Sequence, residues 1–188
     1  MDNKYIYLVF AKTGTWLSHS ISTLTKTDYP HIALSLDPKF DKLYTFGRVN
    51  VNNPFSGGLT IESLYSGVYS RSKNAQCLIY KIPVTVSEIN LLKMELEAYY
   101  LINDIDIFKY NFIGLFGVLF NMPLKRKHHY FCSQFVSTLL ANSGIWTSPK
   151  PHELTRPTDI MKITNKEIIY EGLVHELNLS SKKAALST

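Results

Sequence analysis

Short segments rich in branched and aromatic residues, each bounded by glycine, proline or polar residues, constrain the fold of this chain most. They run over residues 5–10, 31–36, 42–46 and 76–84, with weaker ones at 59–64 and 166–170. Such runs are typical of strands with at least one buried face. The short link between the second and third segments predicts a hairpin. A mostly hairpin-connected sheet is therefore the first expectation.

Helical spacing of apolar residues appears elsewhere in the chain. Thr85 and Glu88 form the pattern of a capping box, and Ile89, Leu92 and Leu96 follow it at helical intervals. A shorter helix is predicted over residues 16–24, and another begins near residue 132 and ends at a glycine, residue 144. We could assign no element to residues 110–124. Helices flanking a hairpin-connected sheet predict an α+β fold.

Length and composition indicate one globular domain. The chain has 188 residues, of which 45% are hydrophobic and 19% charged. We predict a single domain over residues 1–179 and a disordered tail over 180–188, which is polar and small. The formal net charge of +5 is mild, and the basic run at residues 125–129 is typical of an exposed loop. No nucleic-acid partner is expected from so small an excess.

The compartment follows from the cysteines and from the apolar runs. Only Cys77 and Cys132 are present, which does not suggest a disulfide framework and is typical of a reducing compartment. The apolar run near the N-terminus is short and is followed by Lys12, so no signal peptide is predicted. Residues 112–120 are far fewer than the ~20 that a membrane-spanning helix needs. We therefore expect a cytoplasmic protein with no transmembrane segment.

Cys132 and His31 are the residues that best fit covalent chemistry. Cys132 lies at the predicted beginning of a helix, where free amide groups and the helix dipole favour a thiolate and can hold an oxyanion. His31 opens a predicted strand, and a neutral imidazole there can act as a base for a thiol. The alternatives are a small buried core cysteine and a buried, hydrogen-bonded histidine.

Other catalytic classes lack support in the sequence. It contains no HExxH, CxxC or HxH element, so no metal is predicted. It also contains no GxSxG, no Walker loop and no GxGxxG, which argues against a serine hydrolase, a nucleotide hydrolase and a dehydrogenase. We therefore expect no cofactor.

Two phrases together resemble a known family. They are Pro-His-Ile-Ala-Leu-Ser-Leu at residues 30–36 and Phe-Cys-Ser-Gln-Phe-Val at residues 131–136. In this order they resemble the circularly permuted branch of the NlpC-type, papain-fold cysteine hydrolases. That branch includes YiiX- and YaeF-like proteins and, more distantly, lecithin:retinol acyltransferase. The resemblance spans residues 5–160 and includes Tyr-Thr-Phe-Gly-Arg at 44–48 and Asn-Pro-Phe-Ser-Gly-Gly at 53–58.

The resemblance implies a fold, a reaction and roles for particular residues. It implies a circularly permuted papain-like fold in which Cys132 is the nucleophile, His31 the base and Thr45, on the next strand, the residue that orients His31. Thr is a weaker orienter than His, Asp, Glu or Asn. Tyr130, or the backbone amides near Cys132 and Ser133, would complete an oxyanion and substrate-binding site.

Family members attack amide or ester carbonyls by acyl transfer, and three functions remain open for this chain. The first is a peptidase or amidase, including one that acts on cell-wall peptides. The second is a lipid-directed thioesterase or acyltransferase, for which residues 112–120 would line a groove, although a core segment is the simpler interpretation of that run. The third is a non-catalytic binding protein that keeps the fold. The oligomeric state is left open.

Overall fold

The fold combines one eight-stranded sheet with helices packed on it, and the α+β class predicted from the sequence is confirmed. The computed structural model describes residues 4–13, 27–49, 56–103 and 107–177. The strands are β1 (Lys4–Lys12), β2 (His31–Ser35), β3 (Leu43–Arg48), β4 (Gly57–Glu62), β5 (Gln76–Val84), β6 (Lys109–Tyr110), β7 (His129–Tyr130) and β8 (Glu167–Leu173). The α-helices are α1 (Gly67–Arg71), α2 (Val86–Asn103), α3 (Phe112–Leu119), α4 (Cys132–Asn142) and α5 (Pro157–Ile160), with a 3₁₀ turn at His152–Leu154.

The strand order across the sheet is β7-β6-β4-β3-β2-β1-β5-β8. All neighbours are antiparallel except β6 and β7, which are parallel. Strands β1, β2, β3 and β4 therefore lie in a row, as hairpin-like connections require. The paired segments β2 and β3 carry His31 and Thr45 on adjacent strands.

The central strand β1 is buried on both faces. On one face Leu8 and Phe10 join a core that also contains Ile32 and the apolar side of α4. On the other face alternate residues, such as Val9, pack in a second core with Tyr69. This explains why residues 5–10 form a continuous apolar run rather than an alternating one, because a strand covered on both sides needs apolar residues at every position.

Helix α4 packs against β2, β3 and α2. Its residue Phe135 is fully buried, and its ring centroid lies 5.1 Å from those of both Phe46 and Tyr99. Helix α2 begins with the predicted capping box, since Glu88 N donates to Thr85 Oγ1 at 3.2 Å and Thr85 N donates to a Glu88 carboxylate oxygen at 2.6 Å. Packing against α2, β2 and β3 places the first turn of α4 beside the beginning of β2.

The predicted strands agree with the observed ones to within a few residues, and the differences are local. The short helix α1 lies between two predicted strands, in a stretch to which the sequence assigned no element, and the unassigned residues 110–124 contain α3. The helix predicted over 16–24 and the tail predicted over 180–188 lie outside the described residues.

Two observations bear on the compartment predicted from the sequence. Cys77 and Cys132 are both buried and both free, so they form no bridge with each other. In the part of the chain that the structure describes, no helix is both long and apolar enough to cross a bilayer. The cytoplasmic location stays a prediction.

Candidate functional site

Cys132 occupies the first turn of α4, as the sequence predicted. The preceding residue, Phe131, has extended backbone angles (φ −111°, ψ 168°) and offers no side-chain cap to the helix. Amide groups in the first turn of a helix have no partner within the helix, so this end can bind negative charge. The Cys132 side chain is 4% exposed, and its Sγ lies 3.9 Å from the carbonyl oxygen of Pro30.

The contact with Pro30 places Cys132 beside the beginning of β2, because the residue after Pro30 is His31. The His31 Nε2 atom lies 3.0 Å from Glu62 Oε2, and the phenol of Tyr69 donates to that same oxygen at 3.0 Å. The His31 and Glu62 side chains are 20% and 13% exposed. A carboxylate held by two donors in so sheltered a position fixes the orientation of the imidazole ring.

The surroundings of His31 favour the charged ring. Burial acts to lower the pKa of His31, but the charge of Glu62 and hydrogen bonds to the side chains of Cys132 and Glu62 outweigh it. Together they raise the pKa of His31 from 6.5 to about 10. At neutral pH His31 is therefore an imidazolium located between a carboxylate and a cysteine sulfur. Such a cation stabilises a thiolate beside it.

Glycines make the room for two of the groups around His31. A side chain at Gly47 would collide with the carboxylate of Glu62, and one at Gly57 would collide with the ring of Tyr110. Both glycines lie at one end of the β3–β4 pair, where Arg48 is opposite Gly57 and Gly47 is opposite Gly58. The glycines at 47 and 57–58 thus have a physical role, because only a residue without Cβ permits these close approaches.

Tyr110 is one of the polar side chains that line a pocket together with Cys132. Burial, followed by the charges of Cys132 and Glu62, raises the pKa of Tyr110 well above its usual value. The phenol therefore keeps its proton at neutral pH and can donate a hydrogen bond to an anion. The ring packs on Phe112, with the two centroids 4.6 Å apart.

The pocket beside Cys132 is narrow and largely apolar, with a free volume of about 20 Å³. That is room for hardly more than a water molecule. A fatty acyl chain does not fit in this pocket. The lining residues are Pro30, Tyr110, Leu115, Val118, Phe131, Cys132, Ser133, Thr155, Arg156 and Pro157.

The structure brings His31 and Cys132 together, but the contact predicted for Thr45 is made by Glu62. Thr45 is fully buried, and its hydroxyl donates to the carbonyl oxygen of Ile32 at 2.8 Å. Its side chain therefore ties β3 to β2 instead of hydrogen-bonding the imidazole. The prediction rested on the neighbouring strand, whereas the actual partner lies one strand further, on β4.

The two residues proposed for oxyanion and substrate binding have structural partners. Ser133 is buried in the pocket wall, and its hydroxyl donates to the Thr155 carbonyl at 2.7 Å. The Tyr130 hydroxyl accepts a hydrogen bond from Tyr99 at 3.3 Å, and its ring lies 5.2 Å from that of Phe46. Ser133 thus follows Cys132 directly, but its hydroxyl already donates to a backbone carbonyl. Tyr130 belongs to an aromatic cluster.

Sequence reasoning missed Glu62, Tyr69 and Tyr110. The signal for Glu62 was an acidic residue at the end of an otherwise apolar strand segment. Tyr69 and Tyr110 carried no such signal, because each lies in a stretch to which the sequence assigned no element. Among the described residues, no group of three or more His, Cys, Asp and Glu side chains could hold a metal ion.

Comparisons with protein-family models, with curated proteins and with solved structures found no match for this chain.

Proposed function

We propose that this protein is a cysteine hydrolase that cleaves an amide or ester bond by acyl transfer through Cys132. One observation carries the proposal: a half-buried histidine lies between a cysteine at a helix N-terminus and a carboxylate 3.0 Å from its Nε2. Nucleophile, base and orienting acid in that arrangement are the components of a cysteine-hydrolase triad. Glu62 takes the third position that the sequence assigned to Thr45.

The order of these residues supports a circularly permuted papain-like fold. The histidine strand β2 precedes the cysteine helix α4 in the chain, and α4 packs against β2 and its neighbour β3. A mostly antiparallel sheet with the cysteine helix packed on it is the architecture that such a fold requires. We assign the chain to the permuted NlpC-type branch on this basis and on the two phrases around His31 and Cys132.

In the proposed reaction the resting site is an ion pair between the Cys132 thiolate and the His31 imidazolium. The sulfur attacks the substrate carbonyl carbon, and the electron pair of the C=O bond moves to its oxygen. Amide groups at the beginning of α4 and the phenol of Tyr110 stabilise that oxyanion. The tetrahedral intermediate collapses as His31 gives its proton to the leaving nitrogen or oxygen, which leaves a thioester on Cys132.

The second half of the reaction restores the site. His31, now neutral, takes a proton from water as the water oxygen attacks the thioester carbonyl. The C–S bond breaks, the acid departs, and the thiolate–imidazolium pair forms again. Glu62 stays ionised throughout and stabilises the imidazolium in each half, and Tyr69 holds Glu62 in place.

The acyl-enzyme is the species that tests this proposal. The protein is incubated with p-nitrophenyl acetate, and the intact mass is followed in wild type, Cys132→Ala and Cys77→Ala. We expect one acetyl group on wild type and on Cys77→Ala, and none on Cys132→Ala. Because both cysteines are buried, Cys77→Ala is a matched control for the loss of a thiol. Acetylation that persists in Cys132→Ala, or none in any form, would contradict the mechanism and favour a binding protein that keeps the fold.

A further inference from the structure

Large apolar side chains are exposed around α3. The exposed fractions are 55% for Ile113, 72% for Phe120 and 59% for Met122. Burying side chains of this size is worth about 1.5–3 kcal/mol each, so a run of them in water needs an explanation. Ile113 and Phe120 belong to the apolar stretch at residues 112–120, for which the sequence suggested a core segment or a groove, and Met122 follows two residues after it.

The end of α3 is held firmly, so these side chains are presented on a fixed structure. Met122 N donates to the Gly117 carbonyl at 2.9 Å, which turns the chain back on the last turn of the helix. The Met122 carbonyl oxygen and the side chain of Leu124 both lie against Gly117, where an added side chain would collide with that oxygen. Arg156 Nη2 donates to the Val118 carbonyl at 3.1 Å. Phe120 and Met122 therefore lie at the tip of a short, anchored loop.

Three adjacent cations follow this tip, namely Lys125, Arg126 and Lys127, and all three are exposed. Arg126 Nη2 lies 3.1 Å from a ring nitrogen of His129, whose other ring nitrogen contacts the Lys127 carbonyl at 2.7 Å. The sequence contains no Asp or Glu from residue 107 to residue 152. The segment from residue 107 to residue 152 thus combines exposed apolar groups with positive charge and contains no acidic residue. Glu153 follows it, in the 3₁₀ turn that packs against α3.

We propose that this surface docks on a lipid bilayer that contains anionic phospholipids. We call it the docking tip and define it as Ile113, Phe120, Met122, Lys125, Arg126 and Lys127. Apolar side chains of this kind insert at the boundary between headgroups and acyl chains, and adjacent cations bind the anionic headgroups. The inference concerns binding alone and stands whether or not Cys132 is a nucleophile.

Charge complementarity favours a bilayer over the other possible partners. A nucleic acid would use the cations but would leave Phe120 and Met122 in water. A protein partner would need an apolar groove with an acidic rim that matches one short loop, whereas an anionic membrane supplies both features over its whole surface. Leu115 and Val118, in the same helix, line the pocket beside Cys132. Docking would therefore hold the opening of that pocket close to the membrane.

Sedimentation with vesicles tests the proposal. The full chain is mixed with vesicles of phosphatidylcholine alone, or of phosphatidylcholine with phosphatidylserine, at low and high salt. We expect binding to the phosphatidylserine vesicles that weakens with salt. Each neutralised cation of the triple variant Lys125→Gln/Arg126→Gln/Lys127→Gln should weaken it about fivefold. The double variant Phe120→Ala/Met122→Ala should weaken it roughly tenfold or more.

Matched controls separate the docking tip from general charge and hydrophobicity. Lys39→Gln/Lys42→Gln/Lys73→Gln removes three exposed cations elsewhere, and Met94→Ala/Leu101→Ala removes two exposed apolar side chains of α2. Both controls should bind vesicles as wild type does.

Binding that the docking-tip variants leave unchanged would overturn the proposal, as would equal binding to uncharged vesicles. A preference for an RNA duplex over phosphatidylserine vesicles would assign the basic run to nucleic acid instead. Acetylation of Cys132 is measured without vesicles, so a failure to bind vesicles would leave the proposed hydrolysis intact.

Discussion

The two cysteines of this chain are both free, both buried and both packed in apolar cores, yet the polar groups around them differ. Cys77 is the second residue of β5, opposite Ala11 on one side and Gly172 on the other, within an apolar core. Burial raises the pKa of Cys77 to about 12. Its thiol is therefore a small core side chain that keeps its proton.

Cys132 shows what different neighbours do to the same side chain. It begins a helix whose N-cap offers no side-chain acceptor, and it lies beside a histidine that Glu62 holds in the charged form. Burial alone acts on the Cys77 thiol, whereas Cys132 has a charged imidazole and the first amides of a helix beside its sulfur. We therefore expect the two thiols to differ in reactivity because of their partners and not because of their exposure.

The largest expected effect is a difference in alkylation between the two cysteines of the native protein. With iodoacetamide at pH 7, Cys132 should react at least about 1,000-fold faster than Cys77, because only a thiolate is the nucleophile. Peptide mass spectrometry after short exposures measures both sites in one sample. Alkylation in denaturant gives the reference in which the two cysteines should react alike. Equal alkylation rates of Cys132 and Cys77 in the native protein would show that their different neighbours do not change the reactivity of the sulfur.

Tyr110 and Tyr130 allow a sharper comparison within the site. Tyr110→Phe removes the phenol that lines the pocket with Cys132, and we expect acetylation by p-nitrophenyl acetate to slow about 100-fold, as for the loss of one oxyanion donor. Tyr130→Phe is the matched control, since its hydroxyl is engaged with Tyr99, and its rate should stay near that of wild type. The reverse order of the two variants would return the oxyanion role to Tyr130.

The pair of His31 and Glu62 should make stability depend on pH. The pKa of His31 is raised from 6.5 in the unfolded chain to about 10 in the fold. Its protonated ring therefore stabilises the fold fully below pH 6.5, and that contribution is lost as the pH rises towards 10. We expect Glu62→Gln to lower the free energy of unfolding by about 2 kcal/mol at pH 6, since a largely sheltered pair loses one partner.

Urea denaturation at a series of pH values measures this difference between wild type and Glu62→Gln. It should shrink steadily between pH 6.5 and pH 10. A difference that grows with pH, or that stays constant, would show that the pair does not hold the proton on His31. The variant Glu171→Gln, which loses the carboxylate that Tyr29 contacts at 3.0 Å, serves as the control for removing a charge elsewhere.

The smallest effect concerns the reactivity of Cys132 when its histidine loses its carboxylate. Glu62→Gln keeps the size of the side chain but removes the charge that favours the imidazolium. We expect the alkylation rate of Cys132 at pH 7 to fall about tenfold, the lower end of the range for losing an orienting partner. Tyr69→Phe, which removes only one hydrogen bond to Glu62, should change the rate by less. An unchanged rate in both variants would mean that Glu62 does not act through His31.

Local patterns in the sequence predicted much of the fold. Alternation and apolar runs indicate strands because burial is set by the residues themselves, and the Thr85–Glu88 box marks the beginning of α2 because both partners lie within one turn. The helix at Cys132 follows from spacing and from Gly144, which has a positive φ of 77°. The sequence predicted no secondary structure for residues 112–120, because a segment that is apolar at almost every position shows neither the helical nor the strand periodicity of polar and apolar residues.

The site was predictable only where one residue could be recognised by itself. Cys132 and His31 stand at the ends of predictable elements. Glu62 reaches His31 because Gly47 leaves room for its carboxylate, and such a contact across the sheet depends on curvature and register that the sequence does not display. The family resemblance points to Thr45, on the strand that follows His31, but the Thr45 hydroxyl donates to the Ile32 carbonyl.

The central claim is that His31 and Cys132 act as one coupled pair. The most direct test is the rate of Cys132 alkylation between pH 5 and pH 9 in Cys77→Ala protein, with and without His31→Ala. The account predicts a rate that stays high towards acidic pH when His31 is present, and a rate that is low there and rises steeply with pH when it is absent. Superimposable profiles would contradict the account, because they would show that the imidazole has no influence on the sulfur.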